Sequence, residues 1–294
     1  MRAQLKKIKF IIKYIYISVL FAFKKPKIRV LDDEETIQKV LRGYSLSRFG
    51  DGELRWAINA KDTPRFQNRN VILSEELKRI LLDTPNNTLV CLPLNLINMK
   101  NKTYESKYFW KKFVVEYWKK IKPLIRYENI YGNTNVSRFY MDYQDRRYAD
   151  KKINNLKKIW DKKNIIIVEG EKTKLGMNND LLSNCNSIRR IVCPSQNAFD
   201  RIEEIYQEIC NQVNNEDLVL LALGPTATVL SYRLSNIGIH SVDIGHVDIE
   251  YEWYLKKTNK KVGIPGKYVN EIGGVCEEKD DSDDYRHQIS KVIQ

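Results

Sequence analysis

Leu218-Val219-Leu220-Leu221-Ala222-Leu223-Gly224-Pro225-Thr226-Ala227-Thr228 reads as a buried strand that runs straight into a helix. The apolar run Leu218–Leu223 has no alternation, as expected of a strand covered on both faces. Gly224 makes the turn, and Pro225 suits a first helical position because its missing N–H has no partner there anyway. The free N–H groups of Thr226, Ala227 and Thr228 then face outward at the positive end of a helix. A helix start at the carboxyl end of a parallel strand is an anion site. The hydroxyls of Thr226 and Thr228 add two donors, although a capped turn with no ligand has the same pattern. Spaced glycines and a Lys-Ser/Thr pair are absent, so the turn is not a P-loop.

Working outward, the helix runs from Pro225 to Asn236 and the next strand over His240–Ile244. Upstream lie strands Ile165–Val168 and Ile188–Cys193 and a helix over 197–212. Strands alternating with helices predict a parallel sheet with helices on both faces. The first half is less regular. A helix opens on Asp32-Asp33-Glu34-Glu35 and stops at Gly43, and a short one covers 74–82 with Ser74 as its cap. A strand follows at Thr88–Leu92, a helix at 104–120, extended segments at Asn129–Asn133 and Val136–Tyr140, and a helix over 146–160. The expected fold is α/β and Rossmann-like: a mostly parallel sheet flanked by helices over one domain, 31–294, behind an arm of residues 1–30.

Two further stretches carry chemistry. In Ser47-Arg48-Phe49-Gly50-Asp51-Gly52-Glu53 two glycines let the backbone bend around Asp51. Asp51 and Glu53, one residue apart on a turn, are candidate ligands for one Mn²⁺ or Mg²⁺, with open positions left for substrate phosphates. Arg48 supplies a planar, permanently charged donor beside them. A solvated Asp-Gly turn reads the same way. The second stretch, Asp243-Ile244-Gly245-His246-Val247-Asp248-Ile249-Glu250-Tyr251-Glu252-Trp253, follows another strand. Asp243, His246, Asp248 and Glu250 are candidates for a metal contact, a ribose contact or a general base. They also suit capping of a following helix. A third strand end carries Glu169, in Ile165–Gly170, and Gln67 is expected to line the same pocket.

SLSRFGDGE resembles the signature of bacterial glycosyltransferases with the GT-D fold, whose DxE motif binds the metal of a nucleotide-sugar. LGPTAT, DIGHVDIEYEW, VSRFY and the CPSQNAF run at Cys193–Phe199 match the same family, and together the matches span roughly residues 34 to 275. The resemblance implies a metal-dependent transfer of a sugar, glucose or a similar hexose from a UDP-sugar, to a glycan or lipid-linked hydroxyl. It makes Asp51 and Glu53 the metal ligands. Arg48, Arg138, Gly224, Thr226 and Thr228 become donor contacts, and the 243–250 segment holds the base. The family's Ser-Arg pair and Gly-Asn-Asp are replaced here by Thr173-Lys174 and Asn178-Asn179-Asp180. Lys174 keeps the charge but loses the guanidinium fork.

The net charge of +13 suggests a nucleic-acid binder until it is located. Nine basic residues and no acidic one fall in residues 1–31, so the body is only mildly basic and no nucleic-acid partner is expected. Arg2, Lys6, Lys9 and Lys13 share one helical face, and Tyr14–Phe23 carries no charge. Ten apolar residues are too few to span a bilayer, and no small-residue cleavage site follows Phe23. A basic amphipathic helix on the anionic inner face of the cell membrane fits this arm, as does a helix packed on the body. Five scattered cysteines point to reduced thiols in the cytoplasm. A phosphohydrolase or nucleotidase using the same acidic edge, and a non-catalytic membrane-surface protein, are the alternative classes.

Overall fold

The computed structural model describes residues 2–59, 67–83, 87–275 and 282–294, with side chains from Phe10 onward in the first helix. In chain order the first half comprises α1 (Arg2–Lys24), β1 (Arg29–Val30), α2 (Asp33–Leu41), β2 (Ser45–Arg48), α3 (Asp51–Ala57), α4 (Val71–Leu82), β3 (Thr88–Leu92), α5 (Tyr104–Ile121), β4 (Ile130–Asn133) and α6 (Ala149–Lys157). The second half comprises β5 (Asn164–Gly170), β6 (Ser187–Cys193), α7 (Ile202–Gln212), β7 (Asp217–Ala222), α8 (Pro225–Asn236), β8 (Ser241–Asp243) and α9 (Val247–Leu255). A hairpin of β9 (Tyr268–Val269) and β10 (Gly274–Val275), then α10 (Asp283–Gln288) and β11 (Ile289–Val292), complete it.

Nine strands form one sheet in the order β1-β4-β3-β2-β8-β7-β5-β6-β11. Every pairing within it is parallel. Successive side chains of β7 point to opposite faces of the sheet, and both faces are covered. Val219 and Leu221 face a core with α3, α4, α5, α7 and α8. Leu218 and Leu220 face a second core with α2, α6 and α9. The sheet reverses its winding between β2 and β8, where Leu46 pairs with Val242. A crevice opens at the carboxyl ends on either side of such a reversal, and ligands bind there.

Several local expectations change. The fourth helix begins at Val71, because Asn70, not Ser74, accepts the Leu73 N–H. Ser74 lies within the helix and donates back to the Asn70 carbonyl. The segment from Val136 opens on a 3-10 turn, Thr134–Ser137, since the Asn133 side chain captures the Asn135 N–H in place of a strand partner. The arm does not hang free. Lys111 on α5 donates to Tyr14 Oη and Ser18 Oγ, and Lys24 donates to the Val115 carbonyl. The side chains of Arg2, Lys6, Lys7 and Lys9 lie outside the described ones.

Candidate active site

A cavity of about 870 Å³ lies at the carboxyl edge of the sheet, across the β2/β8 reversal. The first turn of α3 and the start of α5 both contribute to its wall. Loops after β5, β6, β7 and β8 close the floor and sides with Lys172, Ser195, Gly224 and His246.

Arg48 and Asp243 end neighbouring strands and meet there. Arg48 Nε lies 3.3 Å from Asp243 Oδ1, and the guanidinium also donates to the Thr134 carbonyl and the Ser137 hydroxyl. Gly245 makes room for it: a Cβ at that position would stand 1.8 Å from Arg48 Nη2, and its φ of +51° favours glycine independently. Burial raises Asp243 above the usual carboxylate range, and Arg48 opposes that shift.

Asp51 and Glu53 are not on a free turn. They are the first and third residues of α3, and helical positions two apart do not face each other. Asp51 Oδ2 takes Arg55 at 2.6 Å, whereas Glu53 Oε2 folds back onto the Gly50 N–H at 2.8 Å. Both still border the cavity. Burial, reinforced by the negative charges of Asp243 and Asp51 against two backbone hydrogen bonds, pushes Glu53 up to about 7. Among the described residues no group of three or more His, Cys, Asp or Glu side chains is arranged to hold a metal ion. The hard oxygens that are present fit a divalent ion bound through one or two carboxylates, the rest of its shell coming from phosphates and water. One ion shared by both carboxylates has to draw Asp51 away from Arg55.

The four candidates after β8 have four different surroundings. His246 faces the cavity with Nε2 3.5 Å from Glu271 Oε2. Burial, opposed by Glu271 and reinforced by Arg138, Arg48 and Lys261, holds its ring down at about 4, so it is neutral at pH 7. Burial works to raise Glu271, but Arg138, His246 and Lys261 outweigh it and keep this carboxylate at about 2. Arg138 Nη1 sits 2.7 Å from Glu271 Oε1. Asp248 borders the cavity, but its carboxylate is taken up in contacts within the protein. Its Oδ2 holds Lys267 at 2.7 Å, and its Oδ1 accepts from the Gly176 N–H and Asn179. Glu250 is fully buried away from the cavity, accepting the Tyr140 and Met141 N–H groups and so fixing the loop that carries Arg138. Asp243 is held by Arg48.

The helix start at α8 is also revised. Gly224 lines the cavity, but Thr226 and Thr228 are fully buried. The Thr228 hydroxyl donates to the Arg48 carbonyl at 2.9 Å, tying α8 to β2. Glu169 forms a buried pair with Arg190 at 2.5 Å and is not a cavity group. Lys172 and Thr173 reach the cavity, whereas the Lys174 ammonium lies over the Tyr285 ring. Gln67 lines the cavity as expected. Sequence reasoning passed over Arg55, Lys172, Lys261, Glu271, Phe109 and Trp110. Arg55 alone had a readable signal, its spacing of four from Asp51; Lys261 and Glu271 come from an irregular segment.

The family model for glycosyltransferases of the GT-D fold matches residues 46–272. The chain is 36% identical over 250 residues to the glycosyltransferase GlyD of Streptococcus pneumoniae serotype 4, covering 83% of this chain and 30% of that protein. It is 33% identical over 247 residues to the probable glycosyl transferase Gly of Streptococcus gordonii, covering 83% of this chain and 36% of that protein. The chain therefore spans about a third of the length of these curated relatives. Among solved structures it is similar to a new glycosyltransferase from Streptococcus sanguinis, with TM-score 0.85, 33% identity, and coverage of 91% of this chain and 100% of that one. A second solved domain, described as having a distinct glycosyltransferase fold, gives TM-score 0.86 and 32% identity over 96% of this chain and all of that one.

Proposed function

This chain belongs to the glycosyltransferase family with the GT-D fold, and we propose that it moves a hexose, glucose or a near relative, from a UDP-sugar to a hydroxyl of a glycan or lipid-linked acceptor. The observation that carries the reading is Glu53. It is a half-buried carboxylate on the cavity wall, raised chiefly by burial and further by Asp243 and Asp51, where Arg48, Arg55, Arg138, Arg146, Lys172 and Lys261 share the lining with acidic groups. That field suits a divalent ion with a nucleotide diphosphate. Mn²⁺ or Mg²⁺ held by Asp51 and Glu53 would supply positive charge to the leaving diphosphate. Arg48, fixed by Asp243, and the α8 start at Gly224 add donors that need no reorganisation during the reaction.

If transfer inverts the anomeric centre, His246 is the base. It is neutral, faces the cavity and is oriented by Glu271, which would stabilise the imidazolium formed when the acceptor hydroxyl gives up its proton. A bound diphosphate would offset Arg48, Arg138 and Lys261 and raise the proton affinity of His246. Residues 1–30 are proposed to keep the enzyme at the cytoplasmic face of the cell membrane, within bacterial polysaccharide or glycoprotein glycan synthesis. A screen of nucleotide-sugars with and without Mn²⁺, with products identified, tests the reading. Sugar on an acceptor, or free sugar plus UDP, supports it; release of sugar phosphate or inorganic phosphate would replace it with a phosphohydrolase.

A further inference from the structure

The outward face of α1 is apolar along its described length. Ile12, Ile15, Tyr16, Val19 and Phe23 are each more than half exposed and recur at helical spacing, a strip roughly 16 Å long. An exposed apolar strip of this kind marks an interaction surface. The inward face differs: Ile17 is buried, and Tyr14 and Ser18 bond to Lys111 of α5. Basic side chains lie at both ends of the strip, Lys13 at one and Lys25, Lys27 and Arg29 at the other, all exposed. No acidic residue occurs before Asp32. A second copy seated on this strip would bring two such arms together, like charge against like charge. An anionic lipid surface complements both the apolar strip and its basic ends. Among the described residues no helix is long and apolar enough to cross a membrane, so the strip suits lying along the surface.

The position of α1 gives this surface a consequence for the site. Its rings sit on the start of α5, Phe10 at 5.3 Å from Tyr108 and Tyr14 at 6.1 Å from Tyr104. The next residues on α5, Phe109 and Trp110, form a wall of the cavity, and Phe109 is 46% exposed. The helix that seats α1 therefore also supplies an aromatic wall of the cavity that the α3 carboxylates border. We infer, with the acceptor alone resting on the glycosyltransferase reading, that the outward face of α1 docks on an anionic bilayer and holds the α5 wall against it, so that the acceptor is a sugar carried on a membrane lipid.

The full chain is tested with vesicles of phosphatidylcholine with and without phosphatidylglycerol, beside an Ile15→Glu/Val19→Glu variant whose changes are exposed and whose fold is checked by thermal melting. The parent should sediment with the phosphatidylglycerol vesicles, and the variant's bound fraction should fall by about tenfold. A dye on Tyr104→Cys, corrected for labelling of the parent, should be quenched by nitroxide lipids. The same dye on Ile237→Cys, at the opposite edge of the sheet, should not. Equal sedimentation of parent and variant, no sedimentation of the parent, or equal quenching at both positions would overturn the docking surface. So would a dimer that forms without lipid and dissociates in the variant. UDP-glucose turnover without vesicles reports the enzyme reading separately. Vesicle binding as expected with no nucleotide-sugar turned over would remove the lipid-borne acceptor and leave the docking surface standing.

Discussion

Two acidic stretches border the same cavity, the start of α3 and the segment after β8, and Glu53 in the first differs in its surroundings from the carboxylates of the second. After β8, Asp243 faces Arg48, Asp248 faces Lys267, and Glu250 accepts two backbone N–H groups. Each buried charge is matched by a donor inside the protein. At α3, Asp51 takes Arg55, whereas Glu53 has only backbone donors of its own, and burial first, then Asp243 and Asp51, raises its proton affinity. The density of ionisable residues is similar in both stretches. The side-chain cation facing each, not the density, separates Asp243 and Asp248 from Glu53.

The comparison breaks most visibly at α3. Asp51→Asn and Glu53→Gln should each reduce metal-dependent turnover by about a hundredfold or more, with the fold intact, because several kcal/mol of charge stabilisation at the leaving group is lost. Near-parental rates at limiting Mn²⁺ would contradict this. Asp248→Asn should do the reverse. It removes one of the two carboxylates that hold the buried Lys267 ammonium, leaving Glu252 at 3.3 Å, so denaturant titration should register a loss of about 1–3 kcal/mol, while the folded fraction keeps its donor affinity.

Gly245→Ala should act on both. The new Cβ displaces Arg48 and strains a left-handed backbone, at about 1–3 kcal/mol, and nucleotide affinity should fall about tenfold. His246 gives a pH signature. Its folded value is depressed to about 4, so the unfolded chain binds the extra proton first as pH falls. The stability it contributes is full above about 6.5 and is lost as pH falls through 4. His246→Asn should flatten that part of the melting-temperature profile and lower turnover. Smallest are Thr226→Ala and Thr228→Ala, which should shift nucleotide affinity by no more than about threefold because neither hydroxyl lines the cavity. Gly224→Val, at a φ of +54° on the cavity wall, should exceed both.

Much of the fold was legible because it rests on local signals. The helix Pro225–Asn236 and the strand Thr88–Leu92 were bounded in the sequence by Gly-Pro and Pro punctuation and have those bounds in the structure. The strand at Ile289–Val292 was not foreseen, since a short mixed segment becomes a strand only by pairing with β6. Within the site, the residue types and their edge of the sheet were legible. Their roles were not: Asp248 and Glu250 became braces through Lys267 and the 140–141 backbone, contacts of long sequence separation that carry no local trace. Thr228 similarly turned inward to β2. At Asp51 and Glu53 the expected turn is the first turn of a helix, where residues two apart point in different directions.

The most direct measurement is calorimetric titration of UDP into the full chain with and without Mn²⁺, repeated for Glu53→Gln and Asp248→Asn at a temperature where all three are folded. Binding that requires Mn²⁺ in the parent, persists in Asp248→Asn and disappears in Glu53→Gln is the predicted result. UDP binding that ignores Mn²⁺, or that survives in Glu53→Gln and is lost in Asp248→Asn, would contradict the division between site and brace.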